Sequence, residues 1–126
     1  MYPRFNYKNA LPTPWGKADS VYKICDGVLE VNTPGHGGIL VGKAAARRLL
    51  SPKAQAVGFE WAQYIAFEED CNWAGFVYEQ PEIYAAAWVA KNPGIAKEQP
   101  DKVTPAAFKQ SAKESLERWS PEYFTS

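Results

Sequence analysis

Asp26-Gly27 is the feature that most narrows what this chain can fold into. Asp-Gly between two apolar, alternating stretches is a favoured two-residue hairpin turn, because both turn residues must take positive φ. The dipeptide separates Ser20–Asp26 from Val28–Asn32 and sets Cys25 opposite Val28. Counting back pairs Ile24 with Leu29, Lys23 with Glu30 and Tyr22 with Val31. In that register Tyr22, Ile24, Leu29 and Val31 form one apolar face. Lys23 and Glu30 form an opposite-charge cross-strand pair on the other, with Cys25 beside them. Beyond a glycine-rich loop at 33–38, the apolar run Ile39-Leu40-Val41 supplies a third antiparallel strand.

Helical signals follow the strands. Lys43–Leu50 is rich in Ala and Leu, and Ser51-Pro52 ends it, since the residue before proline is pushed out of the helical region. Residues 57–67 suit strand or helix. Glu68–Gln80 reads as a helix with Phe67, Cys71, Ala74 and Tyr78 on one stripe. Its three opening acids suit the positive end of a helix dipole. Pro81 breaks or restarts that helix, and Glu82–Ala90 continues it. Asn92-Pro93-Gly94 reads as a turn. Thr104-Pro105 caps a last helix striped by Phe108, Ala112, Leu116 and Trp119, which Ser120-Pro121 ends. Strands first and helices after argue for α+β: a small antiparallel β-meander of three or more strands packed against three to four helices.

At 126 residues the chain makes one domain. Residues 1–14, with three prolines, form an extended arm; 15–90 form the core; 91–126 form a C-terminal helical extension that packs on the core or reaches for a partner. Fourteen basic and fourteen acidic residues cancel, which argues against bulk nonspecific nucleic-acid binding. Two cysteines, neither in a CxxC pair, are read as free thiols in a reducing cytosol. No apolar segment reaches membrane-spanning length, and no signal peptide opens the chain.

Reactive side chains are scarce. His36 is the one histidine, and it sits among Gly35, Gly37 and Gly38. Glycines there allow positive φ and close backbone approach, so the loop can cradle a small anionic or carbonyl-bearing ligand while the imidazole serves as acid or base. The same pattern also describes a hairpin turn with a structural histidine. Glu68, Glu69, Asp70 and Cys71 form the second cluster. Cys71 is either a thiol at a helix start, opposed by its acidic neighbours, or a small buried hydrophobe. His36 with Cys71 and Glu68 supplies nucleophile, base and orienter types. His36 with Glu68, Glu69 or Asp70 would suit Mg²⁺ or Mn²⁺ better than structural Zn²⁺, but no motif such as HExxH supports a metal, and none is assigned. No cofactor is indicated. Trp15 and Trp73 are candidate ring contacts beside the loop.

Three blocks, Thr13-Pro14-Trp15-Gly16, Thr33-Pro34-Gly35-His36-Gly37-Gly38 and Glu68-Glu69-Asp70-Cys71-Asn72-Trp73-Ala74, give the chain a family likeness. It resembles an uncharacterised domain of small proteins in bacteriophages, plasmids and other mobile elements. That family pairs Thr-Pro-Trp-Gly with a Ser-His-Gly-Gly loop and a Tyr-Glu-Glu-Asp-Cys-x-Trp-Ala segment. The likeness covers about residues 13–90. Gly35 stands where the family has Ser, and Phe67 where it has Tyr; a chemistry needing either hydroxyl is absent here. The resemblance implies a phage or mobile-element accessory protein in the bacterial host cytosol. The expected role is a counter-defence binding or inhibitory module that captures a host defence protein or a small signalling ligand. The alternative is a small hydrolase or transferase using His36 with Cys71 or Glu68.

Overall fold

The computed structural model describes residues 4, 5 and 11–125. Most of the proposed N-terminal arm, residues 1–3 and 6–10, lies outside them. The fold is α+β. Six strands form one antiparallel sheet: β1 (Arg4–Phe5), β4 (Ser20–Cys25), β5 (Val28–Asn32), β6 (Gly37–Gly42), β7 (Phe59–Trp61) and β8 (Tyr64–Glu68), in the order β1-β4-β5-β6-β8-β7. β2 (Pro12–Thr13) and β3 (Gly16–Lys17) make a separate two-stranded ribbon. The helices are α1 (Lys43–Leu49), α2 (Pro52–Val57), α3 (Ala74–Val77), α4 (Pro81–Lys91), α5 (Pro93–Glu98) and α6 (Pro105–Trp119), with 3₁₀ turns at Pro100–Lys102 and Pro121–Phe124.

Among the described residues the helices number six rather than three or four because proline divides the helical stretches. Pro52, Pro81, Pro93 and Pro105 each open a helix, where a missing N–H costs nothing and φ is already set. Thus Asn92-Pro93-Gly94, expected as a turn, starts α5. Ser51 and Thr104 cap the helices behind them, accepting from the N–H groups of Ala54 and Ala107 at 3.1 Å each. Ala112 and Leu116 are buried on α6 and tie it to the body, while Trp119 at the end of its stripe is 55% exposed.

The Asp26-Gly27 turn falls where expected, with Cys25 opposite Val28, but of its two residues only Gly27, at φ +82°, takes positive φ, so it is not the expected type I′ turn. A Cβ on Gly27 would lie 2.8 Å from that of Ala45, so conformation and space both require glycine. Behind the turn the expected register fails. A bulge between Lys23 and Cys25 pairs Lys23 with Leu29, Tyr22 with Glu30 and Val21 with Val31. The cause is that this sheet is buried on both faces, so no single apolar face fixes the alternation. Ile24, Val28, Ile39, Val41, Ile65 and Phe67 face the helices. Val21, Val31, Leu40 and Ala66 face the other way, under Leu11, Trp15 and Ala18 from the β2–β3 region. Leu29 does share a side with Val31, but Lys23 and Glu30 are not partners. Lys23 pairs with Asp26 at 2.6 Å, and Glu30 with Lys91 of α4 at 2.5 Å. Cys25 packs against the helix-side core.

The ambiguous stretch 57–67 resolves into the β7–β8 hairpin, whose loop Ala62-Gln63 holds Ala62 at φ +53°. The expected helix at Glu68–Gln80 is corrected more sharply. Phe67 and Glu68 are strand residues paired with Ile39 and Gly38, and helix begins only at Ala74. The chain turns through 69–73, where the Asn72 and Trp73 N–H groups both donate to the Glu68 carbonyl. Asn72 Nδ2 fixes the turn by donating to Val57 O at 2.8 Å. Strand pairing with β6 outweighed the helical spacing of the Phe67 stripe, and the three acids meet no helix dipole. Phe67 and Phe76 are fully buried; truncating either to Ala costs about 3–5 kcal/mol.

Candidate functional site

Two short segments meet at one end of the sheet. The 33–38 loop is closed by Thr33, whose hydroxyl donates to the His36 carbonyl at 2.6 Å and accepts the His36 N–H at 3.0 Å. The Thr33 N–H donates to the same carbonyl at 2.7 Å. The Glu69 N–H then donates to Gly37 O at 3.0 Å, continuing the β6–β8 ladder into the acidic turn. This brackets three side chains: the ligating atoms of His36, Glu69 and Asp70 all lie within 4.8 Å of one another, and all three residues are exposed. Among the described residues no Lys or Arg pairs with any of them.

Glu68 and Cys71 fall outside that trio and face each other instead. The Cys71 thiol is pushed above its ordinary value, first by desolvation, then by the Glu68 and Asp70 charges and a hydrogen bond with Glu68. At neutral pH it is the protonated thiol, the weaker nucleophile. The loop glycines also act differently from expectation. Gly35, Gly37 and Gly38 all avoid positive φ, so the loop forms no alternating nest for an anion. Gly38 is needed for close approach: a Cβ there would lie 2.2 Å from Phe67 O and 2.5 Å from the Trp15 ring. Trp15 therefore seals the far side of the sheet, edge-on to Phe59 at 6.3 Å, rather than joining the site. The Thr13–Gly16 block that carries it is a turn tied by the Thr13 hydroxyl, which donates to Gly16 O at 2.6 Å and accepts the Trp15 N–H.

On the helix side a cleft of about 330 Å³ opens between the sheet, the 69–73 turn, α4 and α6. Ile39, Trp73, Tyr84 and Phe108 supply apolar walls; Glu30, Asn32, Glu69 and Ser111 supply polar atoms. Tyr84 and Phe108 stack edge to face at 5.1 Å, and burial holds the Tyr84 phenol protonated, well above its ordinary value. A second cavity of about 220 Å³ adjoins at Ser111 and runs along α6 past Asp70, Glu114, Arg118 and Trp119. His36 stands at the rim beside both openings, since Glu69 lines the first and Asp70 the second.

Of the residues singled out from sequence, His36, Glu69 and Asp70 come together, Gly38 and Trp73 line the cleft, and Trp15, Glu68 and Cys71 lie elsewhere. Glu30, Asn32, Tyr84, Phe108 and Ser111 were not anticipated. The available signal was the alternation Val28, Glu30, Asn32, which puts two polar side chains on the helix face of β5.

These features define a small α+β domain with a ring-walled cleft and a histidine–carboxylate rim. The chain belongs to the family described as a domain of unknown function (DUF7007), whose profile matches residues 8–126, including the last helix. Neither the curated proteins nor the solved structures contain a match to it. No helix among the described residues is long and apolar enough to cross a membrane.

Proposed function

We propose that this protein is a binding or inhibitory accessory protein of a phage or other mobile element, which counters host defence by capturing a small signalling molecule in the cleft. The cleft carries the reading. It is concave and walled by rings, with a few convergent polar groups, and its volume falls in the range of small-ligand sites. Glu30 is already neutralised by Lys91, leaving Asn32, Glu69 and Ser111 to address the ligand. Those acceptors and the flat rings favour a hydrogen-bond-donating nitrogen heterocycle over the simple anion that the glycine loop suggested. The motif resemblance supports the mobile-element origin, and two free thiols fit a cytosolic site of action. The hydrolase or transferase alternative has less support, because the Cys71 thiol is held protonated and contacts Glu68 rather than the histidine cluster.

The test is capture. The purified protein is mixed with a small-molecule extract of phage-infected bacterial cells, desalted and denatured, and released compounds are identified by mass spectrometry. A stoichiometric heterocyclic ligand is expected from the wild type and not from Trp73→Ala or Phe108→Ala. Protein that emerges ligand-free, or variants that retain the same compound, would remove the proposal.

A further inference from the structure

We propose that His36, Glu69 and Asp70 form a surface site for one divalent metal ion of the Mn²⁺ class. Three observations converge. First, the ligand atoms of three exposed side chains lie within 4.8 Å of one another. Thr33 clamps the His36 backbone, and the Glu69 N–H to Gly37 O bond docks one segment on the other. The fold therefore brings the two segments together, and only side-chain rotation is left to the metal. Second, two carboxylates converge beside an imidazole with no Lys or Arg pairing to them among the described residues. A cation placed between them would be attracted by both carboxylates. Third, the donor set selects the ion. Three protein ligands are too few for a closed structural Zn²⁺ site. Two hard oxygens with one imidazole nitrogen suit Mn²⁺, and better than Mg²⁺, which prefers oxygen throughout.

Three ligands on one ion at about 2.1 Å lie roughly 3–3.6 Å apart. From a spread of up to 4.8 Å the trio must close by about an ångström, which exposed side chains achieve by rotation. A six-coordinate ion would keep about three positions for water or for an oxygen donor of a molecule in the adjoining cleft, which Glu69 also lines. The inference stands apart from the identity of the cleft's occupant, since its probe is the metal alone.

The experiment is titration of MnCl₂ into the full chain, followed by calorimetry and by pulsed electron paramagnetic resonance. The wild type should bind one ion saturably and show nitrogen modulation from a coordinated imidazole. His36→Ala should lose the modulation, and both it and Asp70→Asn should weaken binding by at least about tenfold. Glu82→Gln, a control at an exposed acid on α4, should match the wild type. Circular dichroism of each variant confirms that the fold is kept. Binding that never saturates in the millimolar range, or saturable binding without nitrogen modulation, would overturn the site. Equal loss in Glu82→Gln would also overturn it, by showing general attraction to acidic surface.

Discussion

Two polar clusters in this molecule use the same residue types to opposite ends. At the rim, His36, Glu69 and Asp70 converge in solvent with no Lys or Arg partner among the described residues. Behind α3, Glu79 is saturated from within: it accepts the Ser51 N–H at 2.8 Å, the Ser51 hydroxyl at 2.6 Å and the Tyr123 hydroxyl at 2.5 Å. That second cluster joins the cap of α2 to the C-terminal 3₁₀ turn, so the carboxylate fastens three elements together. The comparison teaches that a carboxylate's use is read from its partners. One whose two oxygens are both engaged inside the protein serves the fold, and one left exposed without such partners is free for a ligand.

The largest effect should come from emptying the saturated cluster. Glu79→Ala strands three donors and should lower unfolding stability by about 3 kcal/mol, measured by chemical denaturation. A loss below about 1 kcal/mol would erase the contrast. Tyr123→Phe removes one of the three bonds and should cost about 1 kcal/mol. It should also change the alkaline limb. Burial first, then the Glu79 carboxylate, holds the Tyr123 phenol above its ordinary value of 10.0. The unfolded chain gives up that proton near pH 10 and the native chain does not, so the native state binds more protons there. Stability is full below about pH 10 and falls as pH rises beyond it. Tyr84 adds a decline of the same sign, through burial and then Glu30. Tyr123→Phe should therefore flatten the fall without abolishing it; an unchanged slope would show that the Tyr123 phenol does not contribute to it. The smallest effect belongs to the rim. Without metal, Asp70→Asn or Glu69→Gln should change stability by no more than about 0.5 kcal/mol, with a gain where repulsion is relieved. A loss comparable to Glu79→Ala would make the rim a second structural cluster.

Much of the local structure was legible in the residues. Asp26-Gly27 marks its turn, Thr104-Pro105 caps and opens the last helix, and Pro81 restarts a helix, whereas Ser51-Pro52, read as a stop, and Asn92-Pro93-Gly94, read as a turn, each open a helix as well. The β7–β8 hairpin was not legible, because Ala62-Gln63 carries no turn signal and Ala62 is held at positive φ by the pairing around it. The acidic segment misled for a related reason. Phe67, Cys71, Ala74 and Tyr78 keep helical spacing, yet Phe67 belongs to a strand because β6 lies alongside to pair with it. The candidate site was half legible: the scarcity of histidine pointed to His36, while the walls at Tyr84 and Phe108 looked like ordinary helix stripe.

Sequence by itself determined the Asp26-Gly27 turn and the Thr104 cap, because those choices rest on φ preferences and hydrogen bonds spanning a few residues; its order of strands before helices fails, since β7 and β8 follow α1 and α2. Only the tertiary structure decided the register and bulge of β4, the fastening of Glu79 between Ser51 and Tyr123, and the meeting of His36 with Glu69 and Asp70. The Glu79 and His36 contacts join residues about thirty or more positions apart, and the β4 register answers to burial on both faces of a sheet, which exists only once the whole sheet is assembled.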